Sequence, residues 1–428
     1  MKTELSSYVR SQFPSLDKTR NGKPIAYLDG PGGYQVPTRV INAIKDYLIN
    51  MNANADGSYF TSKQTDEMIQ KARQAFADFF NSSWDEVVFG ANMTTLNFSL
   101  AHALMREMSS GDEVIITEID HEGNRAPWLE LQERGVKLKD VSLDLDSCTL
   151  DLEDFQSKLS SNTKVVACNY ASNAVGTITE VENIVDMAHE VGAYTVVDAV
   201  HYAAHKPTDV QQLDADFLLV SAYKFFGPHV GVMYAKKDIL DQLNPSKVRP
   251  QKSYPPYKIE TGTLNHEGIA GATEAVNFVA EIGEKFGNTI QEISGDLQSR
   301  RSRIVAGLLA FDNYEKELTN FLLEELSDIP DVTIYGPPEG VPRTSTVSFT
   351  FEGYDSSTIA KYLNESNLLV WDGDFYATTL VDKLGLQDQG GLVRVGIAPY
   401  NTTEELKRLI GALKDKKALS SYLESQDS

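Results

Sequence analysis

The residues best suited to chemistry are Lys224, Asp198, His121, Asn173 and Ser221, each at or just beyond the carboxyl end of a short apolar run. In "VSAYKFFGP" (220–228) a lone lysine follows a buried-looking strand and precedes Phe-Phe-Gly-Pro. Burial disfavours an ammonium and lowers its pKa, so such a lysine either reaches water or serves as a neutral amine nucleophile. Asp198 ends "YTVVDAV", Asn173 follows "VVACNYAS", and His121 follows "VIITEID". Singly, each has an ordinary structural role: a cap or turn former for Asp198, Asn173 and Ser221, a hydrogen-bonding ring for His121.

Together they suit one chemistry, the capture of pyridoxal phosphate by a neutral lysine amine. The cofactor's pyridine nitrogen is electron-withdrawing when protonated, which calls for a buried carboxylate such as Asp198. His121 can supply a ring face, and Asn173, with His201, a partner for the ring hydroxyl. A phosphate needs helix-start amides and hydroxyls. "FGANMTTLNF" (89–98) offers a strand, a Gly90 turn, and Thr94 and Thr95 opening a helix. Ser221 adds a further hydroxyl.

The elements that must position these residues alternate regularly. "EVVFG", "DEVIITEI", "KVVACNY", "YTVVDAV", "DFLLVSA" and "GVMYA" read as strands, most of them separated by amphipathic helices. Such a series predicts a mostly parallel α/β sheet covered by helices, with ligands outside the carboxyl ends of the strands. From residue 267 the pattern becomes helix-rich to about Asp328. It then mixes strands ("VTIYGPP", "TSTVSFTF", "LLVWDGD", "GGLVRVGIA") with helices, as in a smaller α+β domain. We expect a large cofactor domain over 21–266, and a small domain from 267–428 together with 1–20.

The chain of 428 residues carries a formal net charge of −22, with 41% hydrophobic and 23% charged residues. That charge disfavours nucleic-acid and anionic-membrane partners. Two cysteines, Cys148 and Cys168, exclude a disulfide framework and a four-cysteine zinc site. No metal site is expected. The opening residues lack a hydrophobic signal core and no run reaches membrane-spanning length, so a cytoplasmic protein is expected. No strand leads into a G-x-G-x-x-G or G-x-x-x-x-G-K-[ST] pattern, which argues against a nucleotide-binding protein.

In order along the chain, "YLDGPGG", "DHEGNRAPW", "SNAVGTI", "VVDAVH", "SAYKFFGP", "IETGTLNHEG" and "VRVGIAPYNT" resemble motifs of the fold-type I pyridoxal-phosphate enzymes, in particular the class V aminotransferase and cysteine desulfurase group. The resemblance implies a seven-stranded-type sheet and a Schiff base on Lys224. It implies Asp198 as partner of the pyridine nitrogen, His121 as stacking ring and Asn173 as ring-hydroxyl ligand. Thr94, Thr95 and Ser221 fall at phosphate-ligand positions. His201 stands where relatives often have glutamine, and Tyr223 where they often have a phosphate-binding histidine. Thr263 resembles a threonine reaching the phosphate of a neighbouring subunit, which implies a homodimer. Arg394 resembles the arginine that grips the substrate carboxylate, a task suited to a bidentate guanidinium.

The chain departs from the desulfurases at one point. Their persulfide-forming cysteine belongs to the segment read here as "NLLVWDGDFYATTLVDKLG", which holds none; Tyr376 stands near its place. An amino-acid aminotransferase, a lyase working without a persulfide, and a racemase or epimerase all use the same lysine, aspartate and arginine. A non-catalytic cofactor-binding protein is the alternative outside enzymes.

Overall fold

The computed structural model describes residues 2–287 and 297–426. Its main sheet has seven strands: β1 (Val87–Gly90), β2 (Glu113–Thr117), β3 (Lys137–Val141), β4 (Thr163–Asn169), β5 (Tyr194–Asp198), β6 (Phe217–Ser221) and β7 (Gly231–Ala235). In space they run β1-β7-β6-β5-β4-β2-β3. Neighbours from β6 to β3 are parallel, while β7 is antiparallel to both β6 and β1. β2, β5, β6 and β7 are buried along nearly their whole length, as strands covered on both faces must be.

This register assembles one sheet edge. Asp198 pairs with Asn169 on one side and Leu219 on the other. Gly231, at the start of β7, pairs with both Ser221 and Gly90, so the ends of β6 and β1 flank a single point. A Cβ on Gly231 would lie 2.4 Å from the Asn92 backbone, so only glycine admits this approach. The result seats the start of α4 (Met93–Leu104) beside Ser221. The helices before it are α1 (Lys2–Ser11), α2 (Thr38–Asn50) and α3 (Phe60–Phe80); α5 (Glu122–Leu129) follows β2.

A second, antiparallel sheet has the order β8 (Val332–Tyr335), β9 (Thr346–Phe351), β11 (Leu392–Gly396), β10 (Trp371–Gly373). Arg394 lies at the centre of β11, opposite Ser348 on one side and Trp371 on the other. Among the described residues, no helix is long and apolar enough to cross a membrane.

The buried side chains form one core on the main sheet and another on the small sheet. α7 (His266–Phe286), which follows the shorter α6 (Val181–Glu190), and the first half of α8 (Arg300–Ser327) contribute Val276, Phe278, Leu308 and Phe311 to the main-sheet core. The second half of α8 sends Leu318, Leu322 and Leu326 into the small-sheet core. α1 and the turn after it pack Val9 and Phe13 against the main core, whereas Ala26 and Leu28 join the small one. Helical periodicity announces a buried face but not which core receives it. Residues 288–296 of the expected helix-rich stretch lie outside the described residues.

Candidate active site

Lys224 ends a short 3-10 turn (Ala222–Lys224) immediately after β6. The next two residues fix that turn. Phe225 stacks on Phe79 at 5.1 Å, and Phe226 packs edge-on to Phe13, Tyr34, Phe278 and Phe311. Phe226 has φ 70°, a left-handed conformation costing roughly 1–2 kcal/mol in a bulky residue, and its aromatic contacts hold it there. Thus "KFFGP" is an anchored turn that aims one amine into the cleft.

The Lys224 amine donates to the Pro31 carbonyl and lies 4.8 Å from the Tyr223 ring centre. Burial, aided by the Arg394 charge, lowers its pKa to about 7, while Asp29 and Asp198 pull it upward. Asp198 is raised to about 6 by burial, and is lowered in turn by the Val200 amide and by Lys224. At neutral pH the pair therefore combines an ionised carboxylate with an amine near its half-neutral point.

His121 caps α5, its Nδ1 accepting the Gly123 amide at 2.8 Å, which leaves the ring proton on Nε2. Burial and the charges of Lys224 and Arg394 push its pKa down to about 4. This is a neutral ring at pH 7, suited to stacking rather than to proton donation. His201 is buried, with Nε2 at 2.9 Å from Thr344 Oγ1 and 3.1 Å from Thr346 Oγ1, and burial lowers its pKa as well.

Ser221 Oγ accepts the Met93 amide at 2.9 Å and so joins β6 to the start of α4. Thr94, His121, Asn173, Asp198, His201, Ser221 and Lys224 line one cleft with Pro31, Asn169 and Tyr223. Thr95 is exposed and is not among these residues: it forms a capping box with Asn92. Asn173 points its amide at the Phe375 carbonyl, at 2.8 Å. Thr263 is exposed and outside the cleft; nearby Glu260 is anchored by a bidentate pair with buried Arg73 (2.9 and 2.7 Å) and by the Phe89 amide.

Arg394 is buried on β11. It donates to Asp29 at 2.8 Å and to the Asn173 carbonyl at 3.1 Å, with its guanidinium carbon 4.2 Å from the Phe375 ring centre. Asp29 comes from "LDGPGG", where glycine is required: a Cβ on Gly32 would lie 1.9 Å from the Asp29 carboxylate, and one on Gly396 would strike Pro31 at 1.8 Å. The roles of Asp29 and the Pro31 carbonyl were not apparent from sequence. An aspartate beside a glycine turn reads as a turn former, and a backbone acceptor has no side-chain signature.

Cys168 is buried in β4, and burial raises its thiol pKa. Cys148 is raised to about 11, first by burial and then by Asp144 and Asp146, so the acidic loop adds to burial rather than leading it. Neither is a thiolate near neutral pH.

The seven-stranded, mostly parallel sheet, with a part-buried lysine and a buried carboxylate at one edge beside a hydroxyl-lined helix start, is the fold of the fold-type I pyridoxal-phosphate enzymes. The sequence matches the family Aminotransferase class-V over residues 26–300 and 304–409, and the chain belongs to that family, whose members are pyridoxal-phosphate-dependent enzymes. It is 35% identical over 421 residues to the aminotransferase-like protein FGM3 of Gibberella zeae, covering 95% of this chain and 97% of that protein. It is 30% identical over 428 residues to a cysteine desulfurase of an Enterobacter species, covering 95% and 97%. The apo cysteine desulfurase of Thermococcus onnurineus superposes with a TM-score of 0.84 at 26% identity, covering 96% of this chain and 97% of that one.

Proposed function

We propose that the protein is an amino-acid aminotransferase in which Lys224 holds pyridoxal phosphate. The observation that carries the choice of transamination is the likeness to FGM3, an aminotransferase-like relative, while the lack of an available thiolate weighs against the persulfide route. Both cysteines are buried with raised pKa values, and Tyr376 occupies the turn after β10.

The donor set fits the cofactor. Lys224 would bond its aldehyde, Asp198 would face the pyridine nitrogen and His121 would lie against the ring. Asn173 and His201 would meet the ring hydroxyl, and Thr94, Ser221 and the α4 start would hold the phosphate. Thr95 contributes through its cap of that helix. When bound, the cofactor supplies the electron sink for a substrate carbanion. The chain's own residues do the rest. Arg394 orients the substrate carboxylate, and Lys224 Nζ, neutral above about pH 7, takes the α-proton and returns it. Asp198, ionised above about pH 6, keeps a proton on its partner nitrogen.

A homodimer and a cytoplasmic location belong to the same reading. Ile49 and Phe60 are 66% and 75% exposed on α2 and α3, and Tyr47 of α2 packs on His266, just after Thr263. Exposed apolar side chains of this kind are what a subunit contact would cover.

The test is the visible spectrum of the reconstituted enzyme as an L-amino acid is added. Lasting conversion to the pyridoxamine form, reversed by a keto acid, is expected. Recovery of the starting spectrum while the side-chain substituent accumulates would establish a lyase. Racemised substrate without conversion would establish a racemase.

A further inference from the structure

The turn Asp374–Phe375–Tyr376 lies at the mouth of the cleft and is fixed from several sides. Phe375 and Tyr376 both adopt left-handed backbone angles, φ 56° and 59°. Consecutive non-glycine residues seldom do so without support, and here the supports are plain. Asn173 donates to the Phe375 carbonyl at 2.8 Å, the Glu122 amide donates to the Tyr376 carbonyl at 2.7 Å, and Asp374 accepts the Tyr376 amide at 2.9 Å. The Phe375 ring covers Arg394, and the Tyr376 ring stacks on His121 at 5.5 Å and 26°. Even so, Tyr376 remains 67% exposed, and Trp371, directly across the strand pair from Arg394, 48%. A strained turn held this firmly keeps aromatic surface open beside the carboxylate-binding arginine.

The charges nearby restrict what that surface can meet. The groups acting on His121 are Lys224, Arg394 and Asp374; those acting on Lys224 are Arg394, Asp29 and Asp198. Lys224 is committed to the amine chemistry, and Arg394 to one carboxylate with Asp29 already beside it. A second carboxylate on the substrate would meet Asp29, Asp374 and a guanidinium already paired with Asp29. A cationic side chain would meet Lys224 and Arg394, and carboxylates already taken by Arg394, the Tyr376 amide and the Thr378 hydroxyl, so either charge is incompletely paired in a partly desolvated site. A planar uncharged group would find ring faces, which favour offset or edge-on stacking.

Resting on the aminotransferase reading, we propose that the substrate is an α-amino acid with one carboxylate and an uncharged aromatic side chain, and that Tyr376, with Trp371, sets this preference. The experiment is a spectral titration of the pyridoxal-phosphate-loaded enzyme with L-phenylalanine, L-alanine, L-glutamate and L-lysine. L-Phenylalanine is expected to half-saturate at a concentration at least tenfold below L-alanine, with L-glutamate and L-lysine above both. In Tyr376→Ala the phenylalanine-to-alanine ratio should collapse to within threefold, and Tyr376→Phe should restore it. L-Glutamate or L-lysine saturating at or below L-phenylalanine would overturn the proposal, as would an unchanged ratio in Tyr376→Ala. No response to any of the four would overturn the aminotransferase reading itself.

Discussion

On the floor of the cleft, Asp198, Ser221 and Lys224 leave neighbouring strands whose register fixes them side by side. At its mouth, Asp29, Arg394 and Tyr376 are held by contacts between distant segments, such as the Arg394–Asp29 pair spanning 365 residues. The floor is made rigid by backbone pairing. The mouth depends on side-chain contacts and on glycines that let Asp29 and Pro31 approach. The first region suits a chemistry common to a whole family, and the second suits the choice of substrate.

If that contrast is right, variants of the floor should alter cofactor binding and chemistry, while variants of the mouth should alter substrate affinity with the cofactor in place. The largest effect belongs to Lys224→Ala, expected to lose turnover by at least about 10⁴-fold. Stopped-flow rates with saturating amino acid would check it, and near-normal turnover would break the contrast at its base. Asp198→Ala should slow α-proton removal by about 10²–10³-fold, read from exchange of the substrate α-hydrogen with deuterium oxide. At the mouth, Arg394→Lys should lower kcat/KM by about 10²-fold, mostly through KM, because lysine cannot reproduce the fork that meets a carboxylate. Its cofactor spectrum should stay that of the parent. The smallest effect is expected for Ser221→Ala, where one hydrogen bond to the α4 start is lost, about 1 kcal/mol or roughly fivefold in cofactor retention on dialysis.

A pH series sharpens the comparison across the two regions. Because a neutral Lys224 is needed to bond an aldehyde, the rate of cofactor capture by the apoenzyme should rise as pH passes through about 7 and then level off. Asp29 raises the Lys224 pKa, so Asp29→Asn should move that rise to lower pH. An unmoved profile would mean that the mouth does not act on the floor.

What could be read from the sequence follows the same division. The apolar strands and the residues at their carboxyl ends were legible because a doubly covered sheet writes itself as short β-branched runs. β3 was not: as an edge strand reading "KLKDV", mostly part-exposed and carrying two lysines, it lacks that pattern. Thr95 and Thr94 are neighbours of one type, and only the helix start separates the cap from the cleft-lining residue. Asp29 and the Pro31 carbonyl escaped because their partners are remote in sequence. The motif "IETGT" was visible, but the burial of Glu260 against Arg73 was not.

The central claim is that Lys224 is the amine that holds the cofactor. The most direct measurement is borohydride reduction of the pyridoxal-phosphate-loaded enzyme followed by peptide mass spectrometry. The account predicts one phosphopyridoxyl group per chain, on the peptide containing Lys224, and none in Lys224→Ala. Label on another lysine, or full labelling of the Lys224→Ala variant, would contradict it.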